Sequence, residues 1–388
     1  MPDLTAVKDA LKNHQIELPS WAFGNSGTRF KVFGQPGVPR NAFEKAADAA
    51  QVHKYTGVAP SMAVHIPWDK VDDYEALSVH AKGLGIRIGT VNSNVFQDDH
   101  YKLGSVCNPD PRVREKALAH LLECVDIMDA TGSRDLKLWF ADGTNYPGQD
   151  DISARQDRLA EALHAVYERL GPEQRMLLEY KLFEPSFYTT DVPDWGTSLV
   201  HCLALGPKAL VVVDTGHHAP GVNIEFIVTM LLRAGKLGGF DFNSRFYADD
   251  DLMAGAADPF QLFRILVEVA KKGALAPSAG VAFMLDQCHN IEPKIPGQIR
   301  SVMNVQEATA KALLVDAGAL AAAQTAGDVL EANAVLMDAY NTDVRPLLAD
   351  LRAEMGLPRD PYRAYLASGY GQQIITGRVG GAPAGWGA

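Results

Sequence analysis

ALVVVDTGHHAPG (209–221) opens with five consecutive apolar residues, closes that run on Asp214, and passes through Thr215 into a glycine and two histidines. An unbroken, Val-rich run is the mark of a strand shielded on both faces, whereas a strand with one wet face would alternate. Shielding on both faces means a parallel sheet covered by helices. Working outward, related β-rich runs recur: WAFG (21–24), SMAVHIPW (61–68), IRIGTVNSN (86–94), LKLWFAD (136–142), MLLEYKL (176–182), LGGFDFN (237–243) and GVAFMLDQ (280–287). Between them lie stretches such as AFEKAADAAQVHKY, DPRVREKALAHLLECVDIMDAT and ISARQDRLAEALHAVYERL, with apolar residues at helical i, i+3, i+4 spacing. Eight strand–helix units predict an α/β fold, a (β/α)8 TIM barrel over 1–295. No GxGxxG or GxxxxGK[ST] follows a strand, which disfavours a nucleotide-binding sheet.

Beyond residue 295 the character changes. SVMNVQEATAKALLVDAGALAAAQ and GDVLEANAVLMDAYNTDVRPLLADLRAEMG have few β-formers and predict a C-terminal helical extension over 296–388. It packs either on its own barrel or on a neighbouring subunit, and the second arrangement implies a homo-oligomer, a tetramer or dimer. TGRVGGAPAGWGA reads as a mobile tail.

A length of 388 residues, 47% hydrophobic and 21% charged, is ordinary globular composition with a sizeable core. The net charge of −11 argues against a nucleic-acid partner, which wants a basic face, and suits a neutral or cationic small-molecule substrate. Cys107, Cys124, Cys202 and Cys288 are scattered, with no CxxC pair, and read as reduced thiols. No apolar run approaches the roughly 20 residues that span a bilayer, and the first residues lack a secretory apolar core. The expectation is a cytoplasmic protein without a membrane partner.

In such a barrel the chemistry sits at the C-terminal ends of the strands and in the loops after them. Four consecutive late strands each place an acid there: Glu179, Asp214, Asp241 and Asp286. One Asp after a strand is commonly a helix cap. Four that converge would repel one another and resist burial, unless a divalent cation such as Mg²⁺ or Mn²⁺ offsets the charge. His217 and the YADDD loop, with Asp249, Asp250 and Asp251, suggest a second ion that shares Glu179; the competing reading is a solvated turn. Lys181, on the same side as Glu179, is either a charge partner or a group that polarises a carbonyl oxygen. The early strands offer His65, Trp68 and Asp69, Asn92 and Asn94, Trp139 and Asp142, equipment for binding a polyol. Trp68 and Trp139 also fit as core residues.

VHIPWDK, NSN, LWFADGTNYPGQ, EYKLFEPSFYTT, VDTGHHAPGVNIE, GGFDFN with YADDDL, and MLDQCHN together resemble the bacterial L-rhamnose isomerase family of broad specificity, within the xylose-isomerase-like barrel superfamily. The similarity runs from about Trp21 to near Tyr370. It implies a metal-dependent aldose–ketose isomerase, usually tetrameric, with two divalent ions per subunit, Mn²⁺ first and Co²⁺ or Mg²⁺ as substitutes. Glu179, Asp214, Asp241 and Asp286 match the structural metal site, and Glu179, His217, Asp249 and Asp251 the catalytic one. Lys181 and Asp286 fall near the reacting carbons. His65, with a further role in ring opening, Trp68, Trp139 and Asn94 fall in the substrate-binding set. GTRFKVFGQPGVPR (27–40) resembles a loop whose aromatic residue, Phe30 or Phe33, reaches a neighbouring subunit's site. The chain departs from the family at Asp241, where GGFHFN is usual, and at Cys288, where Ser is usual; the added carboxylate favours Mg²⁺ or Mn²⁺ over softer ions. The expected reaction moves hydrogen between C1 and C2, as a hydride shift or through an enediolate. A ketose 3-epimerase of the same superfamily is the alternative.

Overall fold

The computed structural model describes residues 3–28, 31–184, 188–247, 249–288 and 291–378. Eight strands form a closed barrel: β1 (Glu17–Pro19), β2 (Ser61–Ile66), β3 (Arg87–Ser93), β4 (Asp135–Leu138), β5 (Arg175–Glu179), β6 (Ala209–Asp214), β7 (Leu237–Phe242) and β8 (Ala282–Leu285). Every neighbouring pair is parallel, including the closing pair β1–β8. The TIM barrel expected from the apolar runs is therefore present, and so is the helical C-terminal region.

One strand is displaced from its expected place. WAFG forms a 3₁₀ turn over Ser20–Phe23, and the first strand is the preceding Glu17–Pro19. Trp and Phe favour strands while Glu and Pro do not, so propensity pointed to the wrong segment. Register decided otherwise: Glu17, Leu18 and Pro19 pair with Ser61, Met62 and Ala63 on β2.

Barrel helices begin at acids or amides whose side chains accept a first-turn backbone N–H. Asn41, Asp73, Asp110, Asp151, Asp194, Asn223 and Asp258 do this. The acids on β5 to β8 are different, because the two-residue period of a strand aims them inward. On β6, Val211 and Val213 pack outward in the main core, while Leu210 and Val212 join Leu177 and Met284 inside the barrel. Asp214 is the next inward position on that strand.

The helix over Lys294–Leu313 follows β8 and packs against the helices Pro259–Lys271 and Ala42–Thr56. The later helices lie on their own barrel. Leu348 and Leu351 bury against Val7, Leu11 and Ala310. Tyr365 meets Tyr55 at 5.8 Å, and Arg378 pairs with buried Asp48 at 2.7 Å. Among the described residues no helix is long and apolar enough to cross a membrane.

Candidate metal centre

Glu179, Asp214, Asp241 and Asp286 come together at the C-terminal mouth. One oxygen from each can be chosen so that all four lie within 4.8 Å of one another. Asp214 Oδ1 accepts from the Gly216 amide at 2.6 Å and from Asn243 Nδ2 at 3.0 Å, which fixes the carboxylate. A Cβ at Gly216 would fall 2.6 Å from Asn243 Oδ1, so only glycine lets that loop approach so closely. Asp214 Oδ2 is buried without a hydrogen-bond partner, and so is Asp241 Oδ1. Two orphaned carboxylate oxygens in a cluster of acids are expensive unless a cation satisfies them, so these residues fit a divalent ion.

Burial raises the Asp214 carboxyl to about 8; the His217 charge opposes the rise, and Glu179, Asp286 and Asp249 add to it. Burial also drives Asp241 well up, against the pull of Lys137. Lys137 was not among the residues expected here. It rises from β4 with Nζ 2.6 Å from Asp241 Oδ2, 3.5 Å from Asp286 Oδ2 and 4.0 Å from Glu179 Oε2. Burial alone would lower this ammonium, but Asp241, Asp286 and Glu179 hold it well above the ordinary lysine value.

His217 joins a second set to the first. Its Nδ1 lies 3.1 Å from the Tyr180 carbonyl and 3.1 Å from Glu179 Oε1. Burial alone would lower this imidazole, but Asp214, Asp249 and Glu179 hold it well above its ordinary value. Nε2 faces Asp249 Oδ1 at 3.3 Å and Asp214 Oδ2 at 3.7 Å, and an ion there would displace the Nε2 proton while Nδ1–H stays on the carbonyl. Glu179, Asp214 and His217 thus form a second group able to hold an ion. Asp249 Oδ2 pairs with Lys181 Nζ at 2.7 Å, which fits the first of the two roles considered for that lysine. Asp250 turns away, accepting from the Phe246 and Tyr247 amides at 2.6 and 2.9 Å, so this member of YADDD caps its own turn. Asp251 takes left-handed backbone (φ 47°); burial and the charges of Asp249, Asp286 and Asp214 raise its carboxyl well above the usual range.

An aromatic wall faces these acids. His65 stacks on Trp68 at 3.9 Å and meets Trp21 and Phe96 edge-on at 5.5 and 5.8 Å. Phe96 lies against Trp139 at 4.8 Å, and Lys181 Nζ sits 4.8 Å from the Trp139 ring. Trp21 Nε1 donates to Asp286 Oδ1 at 2.8 Å, tying the wall to the acids. His65 Nδ1 and Trp139 Nε1 are buried without partners. Burial, helped by Lys137 and Lys45, keeps His65 well below its usual value, so it stands neutral.

Several candidates are occupied elsewhere. Asp142 accepts from the Ser105 and Cys107 amides at 2.7 and 2.9 Å and clamps its neighbouring loop. Asp69 binds Lys45 at 2.6 Å and the His65 amide at 2.7 Å, supporting β2 from behind. Asn92 donates to the Val64 carbonyl at 3.0 Å. Asn94 shares Gln97 Oε1 with the Trp68 indole, each donor at 2.6 Å, so it orients the wall. Phe33 is 43% exposed on a ribbon in which Lys31–Phe33 pairs with Ser26–Thr28. Cys288 is buried with Trp21 and Ala63, its thiol pushed up to about 12 by burial. Phe30, His289 and most of the terminal tail lie outside the described residues. Trp21, Phe96 and Lys137 escaped the sequence reading; the inward parity Lys137 shares with Trp139, two residues on, was the available signal.

Comparisons with known proteins agree with this arrangement. No family model matches the chain. It is 43% identical over 97% of its length to a protein of Rhizobium meliloti (strain 1021) described as a probable sugar isomerase, covering 89% of that protein. A second so described, from Mesorhizobium japonicum, is 40% identical over 97% of this chain and 90% of its own. A xylose isomerase of Thermus thermophilus is 28% identical over 50% of this chain and 52% of its own length. Among solved structures, an L-ribulose 3-epimerase superposes at TM-score 0.53 with 11% identity, covering 84% of this chain and 97% of its own. A D-psicose 3-epimerase gives 0.52 at 12% identity, with coverage of 77% and 96%; at such identity these two share the fold. The match to the two Rhizobium and Mesorhizobium proteins spans almost the whole chain, which therefore belongs to their sugar-isomerase family, within the xylose-isomerase-like superfamily of barrels.

Proposed function

We propose that the chain is a metal-dependent aldose–ketose isomerase that interconverts an aldose of the L-rhamnose type with its ketose, L-rhamnulose for L-rhamnose itself. The observation that carries this is the pair of overlapping ligand groups, Glu179–Asp214–Asp241–Asp286 and Glu179–Asp214–His217, facing an aromatic wall. The first group would hold one divalent ion. Glu179 and His217, with Asp249 and Asp251 from the loop, would hold a second, Mn²⁺ being the natural choice for mixed carboxylate and imidazole donors. Two such ions supply Lewis-acid polarisation of neighbouring sugar oxygens.

The chain's own groups prepare the substrate. Trp68, Trp139 and Phe96 give the sugar's C–H faces an apolar surface and exclude water from the reacting end. His65, neutral and with a free Nδ1, would take the anomeric hydroxyl proton and pass it to the ring oxygen as the C1–O bond of the ring breaks, ending neutral again. Lys181, held by Asp249, sets a positive charge where negative charge grows on a sugar oxygen during C1–C2 hydrogen transfer. Asp286, with a side chain 19% exposed against 0 to 3% for the other three acids, is the member of the quartet that substrate can touch. Phe33, exposed on its ribbon, is the candidate for reaching a neighbouring subunit's pocket in an oligomer.

A coupled screen of aldoses and ketoses, run on chelated protein and again after Mn²⁺ is restored, tests the reading. The expected result is L-rhamnose turnover that vanishes with chelation and returns with Mn²⁺. Ketose converted only to its C3 epimer would mean the epimerase activity instead. No turnover of any sugar, with Mn²⁺ bound, would overturn both.

A further inference from the structure

Lys137 occupies a place the paired-ion reading leaves unexplained. Its ammonium is inside the barrel, side chain 5% exposed, with one close partner, Asp241 Oδ2 at 2.6 Å. Asp286 and Glu179 stand farther off, at 3.5 and 4.0 Å, and the Trp21 ring lies 5.3 Å away on another side. The ammonium therefore flanks the quartet. It leaves Asp241 Oδ1 and Asp214 Oδ2 unpartnered and buried, as they would have to be to meet an ion.

We infer that Lys137 and Asp241 act together as one composite, charge-neutral metal ligand: Lys137 holds Oδ2, cancels the carboxylate's charge, and turns Oδ1 toward the ion. The inference rests on the metal reading above. Charge counting supports it. Four carboxylates around one divalent ion leave two negative charges, and the Lys137 ammonium reduces them to one. Three carboxylates and a neutral imidazole around the same ion also leave one. The aspartate in GGFDFN, where the similar family has histidine, thus keeps the same net charge provided Lys137 is present. An extra buried carboxylate with no counter-charge would repel its three neighbours. Lys137 is a positioning residue in this account, acting through Asp241 and touching no substrate.

The test is a double-mutant cycle on the full-length protein, stripped of metal and titrated with Mn²⁺ alone. Bound Mn²⁺ is counted by elemental analysis and affinity read by calorimetry, with thermal melting to confirm folding. Wild type should take two ions. Lys137→Met should weaken one of them by about 10- to 100-fold, the usual effect of losing a partner behind a ligand. Asp241→His alone should weaken the same ion, because the ammonium then faces an imidazole. Lys137→Met/Asp241→His should return to within about threefold of wild type, far from the product of the two single losses. If Lys137→Met does not fold, Asp241→His against the double variant still decides. Unchanged Mn²⁺ binding in Lys137→Met, or additive losses in the double variant, would overturn the inference. A gain of one ion in Lys137→Met would overturn it too, since the ammonium would then be standing in an ion's place. Wild type that binds no Mn²⁺ would instead defeat the metal reading beneath it.

Discussion

Glu179 directs Oε1 to His217 and Oε2 toward Lys137, so both ion positions of the proposed site would depend on one carboxylate. Glu179→Gln keeps the shape and removes the charge. It should abolish binding of both ions and lower turnover by on the order of 10³-fold or more, read from Mn²⁺ content and L-rhamnose conversion; a variant that still binds two ions would contradict the shared role. Away from the site, His14 is buried with its ring 4.4 Å from Phe283, and burial lowers its pKa from 6.5 to about 4. The unfolded chain takes that proton more readily than the folded one. His14 therefore supports folding fully above pH 6.5, and its contribution falls as pH drops toward 4, by about 3 kcal/mol in all. Denaturant unfolding between pH 7 and 4 should show a shallower acid loss in His14→Gln than in wild type, and equal slopes would refute the assignment. The acids of the site were readable because each ends an apolar strand. Lys137 was not, since a lysine inside a barrel strand has meaning only once its partners on β5, β7 and β8 are placed around it.

Elements that decide the fold were legible wherever they were continuous and apolar. β6 and β7 align with the expected segments because nothing else can be done with ALVVV or LGGF inside a covered sheet. β1 was not legible: three residues with Glu and Pro carry no strand signal, and only pairing to β2 makes them one. The YADDD loop alternates instead of acting as a block, with Asp250 capping its turn and Asp249 facing Lys181 and His217. The helix Arg345–Glu354 buries Leu351, 1% exposed, against Val7, Leu11 and Ala310. Leu351→Ala should cost about 3 kcal/mol of stability while leaving Mn²⁺ content unchanged. Loss of metal in the folded variant would show that the helical region shapes the site.

For the whole molecule, strand order and site belong to one design. The barrel gathers residues from β2, β4, β5, β6, β7 and β8 at a single mouth, although they are spread from His65 to Asp286. The aromatic wall comes from the early strands and their loops, and the acids from the late ones, so the mouth has an apolar side and a charged side, which the proposed function assigns to the sugar's carbons and its oxygens. The C-terminal helices lock onto the outside through Arg378 and Tyr370 on Asp48, at 2.7 and 2.9 Å. The most direct test of the account is ¹³C NMR of L-rhamnose labelled at C2, incubated with chelated and with Mn²⁺-restored protein. The account predicts that the C2 carbinol signal gives way to the C2 signals of the ketose, chiefly the cyclic hemiketal carbon with a smaller free-ketone signal, only with Mn²⁺ present. A C2 signal that stays unchanged with two Mn²⁺ bound, or that changes equally in the chelated protein, would contradict it.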